Sequence, residues 1–144
     1  MTGAIALRSA RKVTIHCPIS AETLKRLAGG DLEAIERDDA AAAILAVIRA
    51  SDQLGDFDLY RGVFEVSFGL EGFTSTERAN PTSGQPGERT LSPTAIISTY
   101  VDAAVSDPEF AKVIDALVLA HPWETPVIEV SAPIQLVCDT AAGL

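Results

Sequence analysis

Four residues of this chain have side chains suited to metal or nucleophile chemistry and fall in two short clusters. His16 and Cys17 are adjacent in KVTIHC, and His121 and Glu124 share AHPWETP. Imidazole, thiolate and carboxylate are ligands for zinc or copper. His121, Glu124, His16 and Cys17 are therefore the candidate metal ligands, with a divalent transition metal as the candidate cofactor. A metal-bound water held by His16, His121 and Glu124 would make a hydrolase-like enzyme. Cys17 would be a nucleophile only if a fixed imidazole or a helix N-terminus lowered its thiol pKa. Against a shared centre, His16 and Cys17 fall on opposite faces of a regular strand, and neither CxxC nor HxxxH spacing occurs. No residue is assigned a catalytic role. The structural alternative is simpler: Pro122 and Pro126 stiffen a corner, Trp123 plugs a core or an interface, and His121 caps a helix end, where the dipole favours it. Cys17 then serves as a small buried hydrophobe.

A second candidate is the glycine-rich stretch between Gly69 and Gly87. Glycines let backbone N–H groups approach a ligand, and Arg78 and Asn80 add polar reach, so Arg78, Asn80, Gly84 and Gly87 are the candidate ligand-binding residues of this loop. There is no GxxxxGK[ST] and no GxGxxG before a helix, so a nucleotide fingerprint is missing. The alternative is a loop that packs across a neighbouring subunit, with Asn80-Pro81 as its turn.

These residues need elements to hold them. KVTIHC alternates, with Val13, Ile15 and Cys17 on one face, and predicts a strand ended by Pro18. Ser20 caps a short helix, AETLKRLA, which Gly29-Gly30 stops. A longer helix is expected from about Asp31 to Ala50, with Leu32, Ile35, Ile44, Leu45 and Ile48 as its buried stripe and Glu36, Asp38 and Asp39 on its wet side. The Ala40–Ala43 run permits close approach to a sheet. GVFEVSFGL is a half-buried strand. Residues 72–93 form a loop too long for an ordinary hairpin. AIISTYVDAAV is the third strand. Ser106-Asp107-Pro108-Glu109 is a capping box opening a helix that Pro122 ends. Val127–Ser131 is the last main strand, and IQLVC extends it beyond a bend at Pro133.

The order β-α-β-β-α-β predicts an α+β, ferredoxin-like sandwich: an antiparallel sheet with helices on one face. Its first and last strands are neighbours, so the end of the first strand would lie near His121 and Glu124. Ile97 and Val101 point one way along the third strand and Ile96 and Tyr100 the other. Only one face can meet the helices, so the second apolar face predicts self-association. Trp123, Phe73, Ile97 and Val101 are the candidate interface or packing residues.

With 144 residues, 47% of them hydrophobic, the chain is long enough for one domain with a real core. We expect a flexible N-terminal tail over residues 1–10, a single domain over 11–138 and a C-terminal tail over 139–144. A net charge of −9 argues against nucleic-acid binding, which needs clustered Lys and Arg. No apolar run is long enough for a membrane span. The N-terminal charges follow the apolar residues instead of preceding them, unlike a signal peptide. Two cysteines make no disulfide framework, and a cytoplasmic location is expected.

From Gly62 to Val130 the chain resembles the small inserted domain of the Nif-three (YqfO-type) family. VSFGLEGF is similar to that domain's strand running into a glycine-rich turn. The series F-x5-A-N-P-x2-G-x2-G is present as Phe73, Ala79, Asn80, Pro81, Gly84 and Gly87. AHPWETPVIEV is similar to the family's AHPYEEPAY-type junction, with His121, Pro122, Glu124 and Pro126 in place. Trp123, Thr125 and Ile128 depart from it. In that family the dinuclear metal ligands belong to flanking halves that are absent here, so the resemblance carries over neither metal ligands nor hydrolase activity. The inserted domain is similar to CutA and the PII signalling proteins, which commonly form trimers and bind small effectors through long loops at subunit clefts. The resemblance thus implies a CutA/PII-like homotrimer, a non-catalytic regulatory protein binding a small-molecule effector or metal ion between subunits. The metal-dependent enzyme and a purely structural interaction module are the alternatives.

Overall fold

The computed structural model describes residues 5–138. In chain order it contains β1 (Ala6–Pro18), α1 (Ala21–Ala28), α2 (Ala34–Arg37), α3 (Asp39–Ala50), β2 (Glu65–Thr74), β3 (Arg89–Asp102), α4 (Asp107–Ala120), β4 (Val127–Val130) and β5 (Ile134–Cys138). The sheet runs β2-β3-β1-β4 and every pairing is antiparallel. β5 continues past β4 along the same edge of β1, pairing Ala6 with Cys138. This is the expected α+β, ferredoxin-like arrangement.

The alternation in β1 sets the layers. Val13, Ile15 and Cys17 lie directly opposite Thr99, Ile97 and Ala95 of β3, and all six are fully buried. Ile44, Leu45 and Ile48 of α3 and Leu117 of α4 complete the core. Ile97 and Val101 are therefore packing residues beneath the helices. Ala41, also fully buried, is the member of the alanine run that brings α3 close to the sheet.

Four expectations need correction. β1 starts at Ala6, so residues 6–10 are strand, held by β5, where a tail was expected; residues 1–4 and 139–144 lie outside the described residues. The helix expected from Asp31 to Ala50 is broken at Asp38, whose extended backbone separates α2 from α3. The break is built by hydrogen bonds. The Asp38 carboxylate caps α3 by accepting from Ala41 N–H, and it also accepts from Ser20 N–H and Thr23 Oγ1. Asp38 is accordingly buried, and Leu32, left in the turn before α2, is exposed. Finally, residues 72–93 are not one loop. β2 runs to Thr74 and β3 starts at Arg89, opposite it, which confines the loop to residues 75–88. The paired ends of this hairpin reach beyond the helices, so Leu70 and Leu91 are 66% and 72% exposed on one face.

Candidate functional site

The HPWETP corner begins where α4 ends. His121 is the C-cap residue, its N–H directed at the carbonyls of Leu117 and Val118. Pro122 cannot continue the helix. The imidazole is buried and both ring nitrogens are engaged. Nε2 donates to the carbonyl of His16 at 2.6 Å, and Nδ1 accepts from Trp123 N–H at 3.2 Å. A single neutral tautomer satisfies both bonds. Burial holds the His121 pKa below the ordinary histidine value; the hydrogen bond to the His16 carbonyl pulls the other way, and the nearby His16 ring adds to the lowering. The Trp123 ring lies tilted against the imidazole, with centroids 5.0 Å apart. His121 thus joins α4, β1 and the corner.

The other metal-ligand candidates point elsewhere. The His16 side chain sits on the opposite face of β1 from Cys17 and meets Glu129 of β4 at 2.8 Å. Cys17 is fully buried among core residues, and burial, helped by the Asp38 carboxylate, pushes its thiol up to about 12. Such a thiol stays protonated at neutral pH, which suits neither a nucleophile nor a thiolate ligand. Glu124 turns toward the loop. The fold brings His16, Cys17 and His121 to one end of β1 but aims their side chains apart. Among the described residues no three His, Cys, Asp or Glu side chains converge as a metal set.

What the corner does meet is the 75–88 loop. Glu124 Oε1 accepts from Asn80 N–H, and Thr82 Oγ1 donates to the Pro122 carbonyl at 3.1 Å. The loop braces itself at its base: Ser75 Oγ donates to Gln85 O, and Gln85 N–H to Glu88 Oε1. Gly84 and Gly87 both have φ of 83°. A Cβ on Gly84 would fall 2.2 Å from Thr90 Oγ1, and one on Gly87 would fall 2.5 Å from Glu77 Oε1. These glycines therefore shape the loop and do not line the space beneath it. Arg78 is exposed.

Loop and corner border an open cavity of about 280 Å³. Its aromatic walls are Trp123 and Phe73, both half-buried, so these two candidates serve the cavity itself. Ala79, Pro81 and Val127 add apolar surface, and Glu71, Glu124, Thr82 and Thr125 supply oxygen atoms. Glu71 went unnoticed in the sequence because it reads as an ordinary wet-face residue of an alternating strand. The F-x5-A-N-P spacing was the available signal for Pro81 and its neighbours.

A larger hollow, about 590 Å³, lies between α1, α2 and the start of α3. Of its charged groups, Asp38 is bonded to Ser20, Thr23 and Ala41, Arg26 to Glu22, and Arg37 to Asp31. It is better explained as the seam where the helix breaks.

No protein-family model matches the chain, and no curated protein matches it in sequence. Among solved structures it is similar to a Bacillus cereus protein related to NIF3, at 20% identity and a TM-score of 0.57. That likeness covers 92% of this chain but 28% of the other, so the chain corresponds to little more than a quarter of that protein's length. The periplasmic divalent cation tolerance protein CutA from Archaeoglobus fulgidus aligns at 14% identity and a TM-score of 0.41, over 85% of this chain and 82% of that one. CutA from Synechococcus elongatus aligns at 13% identity and a TM-score of 0.45, over 91% and 85%. The likeness to the NIF3-related protein agrees with the fold read from the strand order, and no helix among the described residues is long and apolar enough to cross a membrane.

Proposed function

We propose that this protein is a non-catalytic binding domain of the CutA/PII-like type, a relative of the Nif-three insert, that holds a small organic effector between the 75–88 loop and the HPWETP corner. The observation that carries this is the clasp itself. Two hydrogen bonds tie a long loop to the corner beside an open, aromatic-lined cavity of about 280 Å³. A small molecule suits this space better than a transition-metal ion, because neither imidazole nor thiol lines it: His121 lies outside with both ring nitrogens bonded, and Cys17 is buried as a neutral thiol.

Self-association is part of the proposal, as a homotrimer with the cavity near the seam between copies. The exposed leucines of the β2–β3 hairpin support it: Leu70 and Leu91 share one face of a ladder that projects past the helices. The two free thiols suit a reducing, cytoplasmic setting. Native mass spectrometry of gently purified protein tests both halves. The expected result is an oligomer carrying a retained small mass that is lost from Trp123→Ala. A bare monomer would sink the assembly. An oligomer that retains nothing, and that no member of a small-metabolite panel stabilises thermally, would leave only a structural interaction module.

A further inference from the structure

We infer that the ligand selected by this cavity is a small organic cation, an ammonium or similar group carried on a compact apolar body. The inference rests on the cavity being a ligand site and specifies the chemistry of what enters it. Among the described residues, no Lys, Arg or His lines the space, whereas two carboxylates do, Glu71 and Glu124. None of the ion pairs among the described residues uses either of them. Glu124 has one oxygen satisfied by Asn80 N–H, so its other oxygen and the whole of Glu71 remain for a donor. Glu71 is half-buried and has no side-chain partner among the described residues, which leaves its carboxylate free to pair with a cationic guest.

The walls select in the same direction. Trp and Phe faces carry negative π density that attracts a cation, most strongly for Trp. An anion would meet two carboxylates. A neutral apolar guest would cover Glu71 without pairing it. Zinc and copper favour imidazole and thiolate, which the lining lacks; calcium and magnesium need six or more oxygen ligands, or water in their place, and the apolar atoms of Pro81, Ala79 and Val127 supply none. They do fit the hydrocarbon part of an organic cation. The volume lies at the lower edge of the roughly 300–1,000 Å³ typical of ligand pockets, which limits the guest to a small one. The overall charge of −9 favours the approach of cations as well.

The test compares benzyltrimethylammonium, benzyl alcohol and benzoate, which share a ring and differ in charge. Binding to the intact chain is followed by emission of Trp123, the only tryptophan, and by backbone amide shifts of the corner and loop. The cation is expected to bind about tenfold more tightly than the alcohol, with benzoate weakest. Glu71→Gln should remove most of that preference by weakening the cation far more than benzyl alcohol. Equal binding of all three would overturn the inference and leave the ligand site standing. So would Ca²⁺ or Mg²⁺ displacing the cation at comparable concentration, which would point to a metal. If none of the three moves any corner or loop resonance of the folded protein, the inference and the ligand site fall together.

Discussion

The two sides of β1 are held by different physics. On the helix side, Val13, Ile15 and Cys17 join Ile97, Leu45 and Leu117 in a continuous apolar core without solvent exposure. At the far end, the loop and the corner meet through two hydrogen bonds beside a half-buried tryptophan. The first kind of contact scales with buried area and is hard to open; the second can open locally at small cost. A cavity bordered in the second way, on a platform built in the first, can admit a ligand without unfolding its support.

The largest expected effect probes that contrast directly. Leu45→Ala should destabilise the protein by about 2–5 kcal/mol, because it leaves a void in a region with no room to collapse. Trp123→Ala removes more atoms but from a half-buried wall, and its cost should be clearly smaller. Urea denaturation followed by circular dichroism measures both. A tryptophan loss equal to the leucine loss would mean that the corner belongs to the core, and the contrast would collapse.

The residues show why the platform was easier to foresee than the site. The alternation of KVTIHC and the Ser-Asp-Pro-Glu box report local physics, period and capping, and their strand and helix appear where expected. The helix break at Asp38 was hidden because its cause is tertiary: a carboxylate capping α3 while binding Ser20 and Thr23 some fifteen or more residues upstream. The extended hairpin was hidden for another reason. Leu70, Gly72 and Leu91 pair by backbone, with no helix above them to impose an apolar pattern. Topology correctly brings His16, Cys17 and His121 to one sheet end, but side-chain direction decides chemistry. Each histidine has a partner no spacing rule would name: Glu129 for His16, and a backbone carbonyl for His121.

A smaller effect should appear with pH, and it also distinguishes the two regions. His121 is neutral in the folded state because burial lowers its pKa below 6.5, the value expected once it is exposed. The unfolded chain therefore binds a proton more readily than the folded one. The sign follows: this contribution is fully present above about pH 6.5 and is lost as pH falls through the folded pKa. His121→Gln should flatten the decline in stability between pH 7 and 5 relative to the unmodified protein, measured as urea midpoints at each pH. The same decline in both proteins would show that the imidazole is not held neutral at the joint between helix and corner.

The smallest effect on stability should come with the clearest local signal. Glu124 is exposed, so Glu124→Ala should change global stability by less than about 1 kcal/mol. Yet its carboxylate accepts the Asn80 N–H, the bond by which the loop is tied to the corner. Removing a charge-assisted bond of roughly 1.5 kcal/mol should raise the opening equilibrium at that amide about tenfold. Hydrogen exchange at Asn80 should quicken accordingly, while amides of β1 facing β3 keep their rates. Glu124→Gln keeps an acceptor oxygen without the charge and should fall between the two. If exchange in β1 quickens with the loop, corner and core open as one unit. If Asn80 does not respond, the loop is held by its own base, by Ser75 and Glu88, and not by the corner. Only the graded response, confined to the loop, is what a polar clasp over a rigid sheet requires.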